Sequence, residues 1–540
     1  MSSHAALAMS APSAQGVDAD GILRFLDALE DSPTQDPHSL MVLRHGHVIA
    51  QGWWAPYAAQ RRHLLYSLSK SFTSAAAGIA IAEGLLQLDE PAISYFPEFD
   101  TDVTDARSRS ILVRHLASMA TGHTFDTLEQ AQRADPVNLV RGFLMLPPER
   151  DPGTFFAYNQ PATYTLAAII QKRSGLSLVD YLRPRLLDPL GIGPVGWQQF
   201  PAGQNLGFSG LFATTDAIAR LGQLYLQRGS WHGTQLLPAA WVEQASSRQV
   251  ATTVPFPDDP SAGFDWRQGY GFQFWMSRHG YRGDGAFGQF CLILPEQDAV
   301  VAITSQTNDM QETLDAAWSE LLPALSGAGT PSVEADGRLR ARLETLRLPL
   351  PAEAARSLDP GSRPLRRPRA ASSGTVASAS GLDGRPTNAN ELGGRVASAS
   401  ERIETPSADP SLTPAWHNAS FAPQGGTCAE QLSLHAVRVT RESTTWLLTL
   451  VDESGELTAV LEPDRWAVAD APTDLVPIAV AGGWLNSQTL HVDVAFIETP
   501  HRLQLTGDLS SHEFTAHWIT APLDLESAPL DDLQTPLPVG

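Results

Sequence analysis

The stretch YSLSKSFTS, residues 66–74, places a serine three positions before a lysine at the start of a small, apolar segment. Residues three apart on a helix share one face, so the side chains of Ser67 and Lys70 would lie side by side. The N–H groups at a helix start favour negative charge developing on a reacting oxygen. Because desolvation lowers the pKa of an amine, a buried Lys70 could take the proton of the Ser67 hydroxyl. The spacing predicts a nucleophile and its base, although an ordinary surface lysine at a helix start has the same pattern.

The composition of the chain makes this lysine more informative. Only two of the 37 basic residues are lysines, Lys70 and Lys172, and the other 35 are arginines. A guanidinium group stays protonated at any working pH, whereas a buried ammonium group can lose its proton and act as a base. Arginine would serve if charge alone were needed, so the composition favours a chemical role for Lys70.

Bulk properties exclude several classes of partner and location. The net charge of −22 over 540 residues disfavours nucleic acid and anionic membrane surfaces. The longest apolar stretch, residues 72–86, is short and interrupted by polar side chains, which predicts a buried helix and no membrane span. The N-terminus lacks the pattern of a signal peptide. With two distant cysteines, Cys291 and Cys428, reduced thiols in the cytoplasm are expected.

Composition divides the chain into four regions. Residues 1–18 are expected to form a flexible tail, and residues 19–350 alternate between strand-like and helix-like segments. Residues 351–413 are rich in Ser, Ala, Gly, Pro and Arg and repeat the pentamer VASAS, which predicts a disordered linker. Residues 414–540 are strand-like and predict a small antiparallel β domain without a catalytic constellation.

Hydrophobic periodicity and turn residues predict the main elements of the second region. A hairpin is expected around Gly46, and two strands are expected on either side of a turn that begins at Pro295. The predicted strands span residues 40–43, 47–50, 290–294 and 299–304, and the predicted helices span residues 72–86, 162–172, 216–226 and 311–325.

Further segments, in the same order as in a known family, accompany the serine and lysine. They are EGLL at 83–86, VRHLASMATGH at 113–123, PGTFFAYNQ at 152–160 and GLFATT at 210–215. Together with residues 66–74 they resemble the serine β-lactamase and penicillin-binding-protein superfamily, and most closely the class C β-lactamase-related serine hydrolases. The resemblance covers residues from about 35 to 325. It implies an α+β fold in which an antiparallel sheet is flanked by helices and carries a helical subdomain, with the active site between the two.

The resemblance also implies roles for individual residues. Tyr158 would relay the proton between Ser67, Lys70 and the leaving group. The N–H groups of Ser67 and Ala286 would form the oxyanion hole. No metal or cofactor is required. The substrate-binding residues implied by the second and third motifs are Asn159, Gln160, Asp284, Gly285 and Phe287.

Two motifs depart from the family pattern. Relatives often have Tyr-x-Asn in the second motif, but this chain has Gln160 in the third place and the asparagine one residue earlier, so either amide is a candidate for substrate contact. The third motif, Lys-Thr-Gly in relatives that recognise β-lactams, is Gly283-Asp284-Gly285 here and holds no basic residue. Its loss argues against hydrolysis of β-lactams and against peptidoglycan transpeptidation.

The sequence therefore predicts a serine hydrolase that cleaves a small ester or amide through an acyl-enzyme on Ser67. One alternative is a β-lactamase or penicillin-binding D,D-peptidase. Another is a non-catalytic binding or scaffold protein on the same fold, which the intact set of Ser67, Lys70 and Tyr158 argues against.

Overall fold

A computed structural model describes residues 6–252, 264–351, 414–469, 476–523 and 529–536. The chain divides into two compact units, one with the bounds Met1–Leu348 and Thr535–Gly540 and the other with the bounds Pro349–Gln534. The predicted linker at 351–413 lies outside the described residues apart from Pro351. In the part of the chain that the structure describes, no helix has the length and apolar character needed to cross a membrane.

The first unit contains eleven strands among its described residues. They are β1 (Gln35–Arg44), β2 (His47–Trp53), β3 (His63–Leu64), β4 (Gly196–Trp197), β5 (Leu211–Ala213), β6 (Ser230–Trp231), β7 (Thr234–Gln235), β8 (Trp275–Met276), β9 (Tyr281–Gly285), β10 (Gln289–Leu294) and β11 (Ala299–Thr307). Six of them form an antiparallel sheet in the order β2-β1-β11-β10-β9-β8, and β3, β5 and β4 form a small second sheet. Strands β10 and β11 are buried along their whole length, as expected for central strands covered on both faces.

Helices flank this sheet and build a separate helical layer. The helices of the unit are α1 (Ala19–Asp31), α2 (Ser69–Ala82), α3 (Ala106–Arg109), α4 (Val113–Ala117), α5 (Leu128–Ala134), α6 (Leu139–Met145), α7 (Gln160–Ser174), α8 (Leu178–Leu182), α9 (Asp188–Leu190), α10 (Thr215–Leu226), α11 (Ala239–Ala245), α12 (Met310–Ala316), α13 (Leu322–Leu325) and α14 (Val333–Leu343). Helix α10 packs on β10 and β11, while α1 and α14 pack on β1 and β2. Helices α3 to α9 form the subdomain. The predicted α+β class is confirmed.

Several predicted elements differ from the structure at their ends. Helix α2 starts at Ser69, three residues before the predicted start, because the polar side chains of its first turn are buried by contacts with other segments. Helix α10 starts at Thr215, one residue before the predicted start, and is capped by Thr214, whose side chain accepts a hydrogen bond from the Ala217 amide. The predicted helix at 311–325 is interrupted by a π-helical turn at Ala317–Leu321.

The segment predicted as a loose tail makes ordered contacts over its described residues. The amide of Ser10 donates to the carbonyl of Val48 on β2 at 3.0 Å. A 3-10 turn follows at Ser13–Gln15, and the Ser13 hydroxyl donates to the carboxylate of Asp336 on α14 at 2.5 Å. These contacts tie residues 9–15 to the sheet and to α14, so this segment belongs to the first unit.

The second unit is a nine-stranded sheet. Its strands are β12 (Asn418–Pro423), β13 (Leu434–Glu442), β14 (Thr445–Asp452), β15 (Glu456–Val460), β16 (Ala467–Ala469), β17 (Ile478–Trp484), β18 (Thr489–Phe496), β19 (Arg502–Asp508) and β20 (Glu513–Thr520). The order is β15-β14-β13-β12-β20-β19-β18-β17-β16. The outermost strands β15 and β16 lie next to each other, so the sheet is nearly closed around an apolar core. The sheet is antiparallel apart from the pair β12 and β20, which is parallel.

Candidate active site

The candidate nucleophile lies on a tight backbone turn. Ser67 is half-exposed in a 3-10 turn at Tyr66–Leu68, directly before α2. Tyr66 has a φ of 47°, in the left-handed region that costs a non-glycine residue about 1 kcal/mol. Strand β5 holds the turn on both sides, since the Leu65 amide donates to the Leu211 carbonyl at 2.8 Å and the Leu211 amide donates to the Ser69 hydroxyl at 3.0 Å. The direction of the Ser67 side chain is therefore fixed by a strained backbone.

Lys70 is buried next to this serine, with 1% of its surface exposed. Its Nζ lies 3.0 Å from the Oγ of Ser67, 2.7 Å from the Oε1 of Gln160 and 2.8 Å from the carbonyl oxygen of Phe208. It also lies 4.6 Å from the centroid of the Tyr158 ring. The amide oxygen and the carbonyl oxygen can only accept, whereas the serine hydroxyl can donate or accept. Gln160 and Phe208 therefore each accept one N–H of the amine, and the third partner, Ser67, is the candidate nucleophile.

Burial is the main cause of an altered protonation equilibrium at Lys70. Desolvation lowers the pKa of Lys70 to about 7, and the carboxylates of Asp126 and Asp284 oppose this effect. Near neutral pH a substantial fraction of the amine is therefore unprotonated. A neutral amine with two N–H bonds directed at Gln160 and Phe208 has its lone pair left for the hydroxyl of Ser67. This is the arrangement that a general base requires.

Tyr158 lies on the other side of the serine. Its phenol hydrogen-bonds to Ser67, and its ring stacks on Trp275 with centroids 5.4 Å apart and an angle of 19° between the planes. Burial, together with the nearby carboxylate of Asp284, raises the pKa of Tyr158 far above its ordinary value. The phenol therefore stays protonated, and it can pass a proton on only while receiving another.

The end of β9 lies directly against the nucleophile turn. A Cβ atom at Gly285 would lie 2.1 Å from the carbonyl oxygen of Leu65 and 3.0 Å from the amide nitrogen of Leu68, so only glycine fits there. Hydrogen bonds also hold the turn that follows β9. The side chain of Gln289 donates to the Ala286 carbonyl at 3.0 Å. The Thr307 amide donates to the Phe287 carbonyl at 3.1 Å. Gly285, the residue before Ala286, is thus packed against the turn that contains Ser67.

Asp284 of the third motif forms a buried ion pair with Arg282, the residue that directly precedes the motif. The Nε of Arg282 donates to the Oδ2 of Asp284 at 2.9 Å, and the two side chains are 0% and 6% exposed. The guanidinium of Arg282 also lies 4.5 Å from the ring centroid of Trp266. Desolvation raises the pKa of Asp284. The carboxylate predicted to bind substrate is thus paired with Arg282, which is a fully buried residue.

The two amides that follow Tyr158 have different surroundings. Gln160 contacts Lys70, as described above, and is half-buried at the site. Asn159 has no exposed surface, and its Oδ1 accepts hydrogen bonds from the amide and the hydroxyl of Thr127, each at 3.0 Å. The structure thus directs the Asn159 side-chain oxygen to the segment that precedes α5, whereas Gln160 is the amide that contacts Lys70.

Comparison with known proteins places this site in a family. A family model described as Beta-lactamase matches residues 38–325, which is more than half of the chain and includes each of the site residues described above. The chain belongs to the beta-lactamase family. This membership confirms the resemblance stated from the sequence, and with it the predicted enzyme class, a serine hydrolase.

Individual relatives in the beta-lactamase family are distant. The 6-aminohexanoate-dimer hydrolase of Paenarthrobacter ureafaciens is 26% identical over 297 residues, which are 50% of this chain and 73% of that protein. The lovastatin esterase of Penicillium rubens is 27% identical over 150 residues, 24% of this chain and 37% of that protein. Among solved structures, the octameric penicillin-binding protein homologue from Pyrococcus abyssi matches 88% of this chain and 98% of its own, with a TM-score of 0.43 and 16% identity.

Two groups at this beta-lactamase-family site were not predicted from the sequence. The Phe208 carbonyl accepts from Lys70, but a backbone acceptor leaves no mark in a sequence. Asp126 contributes charge near Lys70, but an aspartate two residues before a helix is read as an ordinary helix-start residue.

Proposed function

We propose that the protein hydrolyses a small ester or amide through an acyl-enzyme on Ser67. The observation that carries the proposal is the environment of Lys70, whose Nζ has two fixed acceptors and the Ser67 hydroxyl as its third neighbour. The low pKa of Lys70, about 7, supports its role as the base. A base of this kind contributes roughly 10²–10⁴-fold to the rate of a hydrolase.

The proposed reaction has two halves. Ser67 Oγ attacks the carbonyl carbon while its proton passes to the neutral amine of Lys70, and the N–H groups of Ser67 and Ala286 stabilise the oxyanion. Tyr158 delivers the proton to the leaving alcohol or amine, and it is reprotonated from Lys70. The carbonyl–leaving-group bond breaks and the acyl-enzyme remains. Water then repeats the sequence, which releases the acid and restores the Ser67 hydroxyl.

One structural observation supports an ester or amide over a β-lactam. The third motif offers no exposed cation for a substrate carboxylate, since Arg282 is fully buried against Asp284. The names of the relatives do not decide between the classes, because they include a 6-aminohexanoate-dimer hydrolase and a lovastatin esterase as well as the beta-lactamases of Escherichia coli and Yersinia enterocolitica. We further propose a reducing, cytoplasmic location, which the two buried free cysteines, Cys291 and Cys428, support.

A fluorophosphonate probe tests the proposed nucleophile. The expected result is one covalent adduct on the peptide that contains Ser67, located by mass spectrometry, and its loss in Ser67→Ala. Ser94→Ala is the matched control, because Ser94 is an exposed serine that hydrogen-bonds only to its own turn and to Glu90. Absence of an adduct in the wild-type protein, with Ser67→Ala behaving in the same way, would refute catalysis by Ser67 and favour a binding protein.

A substrate panel then tests the chemical class. The panel comprises short-chain p-nitrophenyl esters, D-amino-acid amides and a chromogenic cephalosporin, each assayed on the wild-type protein and on Ser67→Ala. We expect turnover of esters or amides that depends on Ser67. Faster turnover of the cephalosporin than of any ester or amide would instead make the protein a β-lactamase.

A further inference from the structure

Asp126 lies at the candidate site although no motif marks it. Its Oδ1 accepts hydrogen bonds from the amide of Gln160 at 3.1 Å and from the amide of Leu128 at 3.2 Å. It thereby connects the segment before α5 to the first residue of α7. The residue that it holds, Gln160, is the one whose side chain accepts from Lys70.

The neighbouring residues Thr127 and Asn159 also connect the two segments, with donor and acceptor reversed. Asn159 Oδ1 accepts from the amide and the hydroxyl of Thr127, each at 3.0 Å, and both residues are almost completely buried. Consecutive residues 126–127 and 159–160 thus exchange hydrogen bonds in both directions. A buried connection of this type is costly to break, because water cannot replace the lost partners.

Tyr158 and Gln160 lie on either side of Asn159, which these hydrogen bonds hold in place. The Tyr158 ring lies 4.6 Å from the Nζ of Lys70, and Gln160 Oε1 lies 2.7 Å from it. A shift of the segment at 159–160 would move both groups relative to Lys70. Small displacements of catalytic groups are known to reduce rates strongly, so this connection is placed where it controls the chemistry.

Asp126 also contributes charge to the surroundings of Lys70. The ionisable groups that face the amine are the carboxylates of Asp126, from the segment before α5, and of Asp284, from β9, together with the neutral phenol of Tyr158. The charge of Asp284 is compensated by its buried partner Arg282. Asp126 is therefore a second carboxylate that favours the protonated form of Lys70.

We propose that Asp126 is a positioning residue of the hydrolase, which holds the Gln160 backbone so that the side chains of Gln160 and Tyr158 stay against Lys70. This inference rests on the proposed function. It assigns Asp126 two separable properties, an oxygen that accepts the hydrogen bonds and a negative charge, and two substitutions separate them.

The test compares Asp126→Ala with Asp126→Asn in steady-state ester hydrolysis over a range of pH. Asp126→Ala removes the oxygen, and we expect kcat to fall by about tenfold or more with little change in KM. Asp126→Asn keeps an oxygen acceptor, and we expect kcat at the pH optimum to stay within about threefold of the wild-type value. Because the neutral amide in Asp126→Asn lacks the charge that favours protonated Lys70, the acid limb of kcat/KM should move to lower pH by about half to one unit.

Asp135→Asn is the matched control. Asp135 Oδ1 accepts from the amides of Val137 and Asn138, each at 3.0 Å, at the opposite end of α5 from Asp126. It accepts backbone hydrogen bonds in the same way, and its Oδ2 also pairs with Arg141 at 2.8 Å. Because Asp135 makes no contact with Lys70, kcat and the pH limb should be unchanged. Thr127→Val provides a second probe of the connection if Asp126→Ala does not fold, because it removes only one hydroxyl hydrogen bond, and it should lower kcat without moving the limb.

Three results would overturn the inference. They are an Asp126→Ala variant within about twofold of the wild-type kcat, an Asp126→Asn variant as slow as Asp126→Ala, and an Asp126→Asn variant with an unmoved acid limb. The fluorophosphonate reaction separates this failure from that of the proposed function. A wild-type protein that is not labelled on Ser67 refutes the proposed function, whereas equal labelling rates of wild-type protein and Asp126→Ala refute only the role of Asp126.

Discussion

Replacement of Lys70 tests the link between burial, protonation and catalysis. We expect kcat/KM of the wild-type protein to rise with pH along a limb whose midpoint is about 7, the pKa that burial gives Lys70. Lys70→Arg keeps a positive charge but cannot release a proton, so turnover should be lost. Lys70→Met keeps an unbranched side chain without any proton, and it should also be inactive.

The same burial predicts the effect of Lys70→Met on stability. The ordinary pKa of lysine is 10.5 and that of Lys70 is about 7, and each pKa unit corresponds to about 1.4 kcal/mol. The fold therefore penalises the charged amine by about 5 kcal/mol at pH values below both. Lys70→Met removes this penalty, but it also loses three hydrogen bonds of about 1 kcal/mol each. We expect a net stabilisation of about 1–2 kcal/mol at pH 6.

The pH dependence of that gain has a definite sign. Between pH 7 and 10.5 the unfolded chain binds a proton at Lys70 that the folded protein has released. The stability of the wild-type protein therefore rises with pH in this window, and the advantage of Lys70→Met declines. From pH 6 to pH 9 the difference in free energy of unfolding should fall by about 3 kcal/mol.

Urea or thermal unfolding of the two proteins at pH 6 and pH 9 measures this difference. Lys172→Met is the matched control, since Lys172 is 40% exposed and pairs with Glu98 at the surface. Its difference from the wild-type protein should change little over the same range. A Lys70→Arg variant with wild-type turnover, or a stability difference between Lys70→Met and the wild-type protein that is the same at pH 6 and pH 9, would contradict the reasoning.

Three other substitutions probe the same site. Tyr158→Phe removes the phenol that relays the proton, so kcat/KM should fall by about 10²-fold or more while the fold persists by circular dichroism; a smaller loss would exclude Tyr158 as the relay. Gln160→Glu places a carboxylate next to the Nζ of Lys70, so the acid limb should move to higher pH by about 1–2 units, and an unmoved limb would show that this contact is absent in solution. Gly285→Ala puts a Cβ 2.1 Å from the Leu65 carbonyl oxygen; backbone must shift, and both fluorophosphonate labelling and melting temperature should fall, whereas unchanged labelling would contradict the close approach.

The sequence predicted the parts of the site that depend on side-chain chemistry at fixed spacing. Ser67 and Lys70 lie on consecutive helical turns, and the short Pro-Gly turn that brings in Tyr158 is visible in the sequence. The sequence leaves open which of Asn159 and Gln160 contacts substrate, and it does not predict the contact of Gln160 with Lys70, because the motif does not say which of the two side chains faces the cleft. The helix predicted from residue 72 starts at Ser69 because tertiary contacts bury its polar first turn.

Other features could not be predicted because they arise from distant contacts. The pairing of Asp126 and Thr127 with Asn159 and Gln160 joins segments more than thirty residues apart, and each of these residue types is also common at ordinary helix starts. The single parallel strand pair in the second unit follows from chain connectivity, which alternation of polar and apolar residues does not report. Periodicity predicts which face of a helix or strand is buried, but it does not identify the segment that packs against that face.

Tyr66 and Phe287 share an unusual geometry, with consequences for the evolution of the site. Each is a non-glycine residue with positive φ, 47° and 65°, and their rings meet edge to face with centroids 5.3 Å apart. One directly precedes Ser67 and the other directly follows Ala286. Because the two rings are in contact, substitutions at the two positions should show epistasis. A library that varies both together should therefore recover active pairs that stepwise mutation would miss.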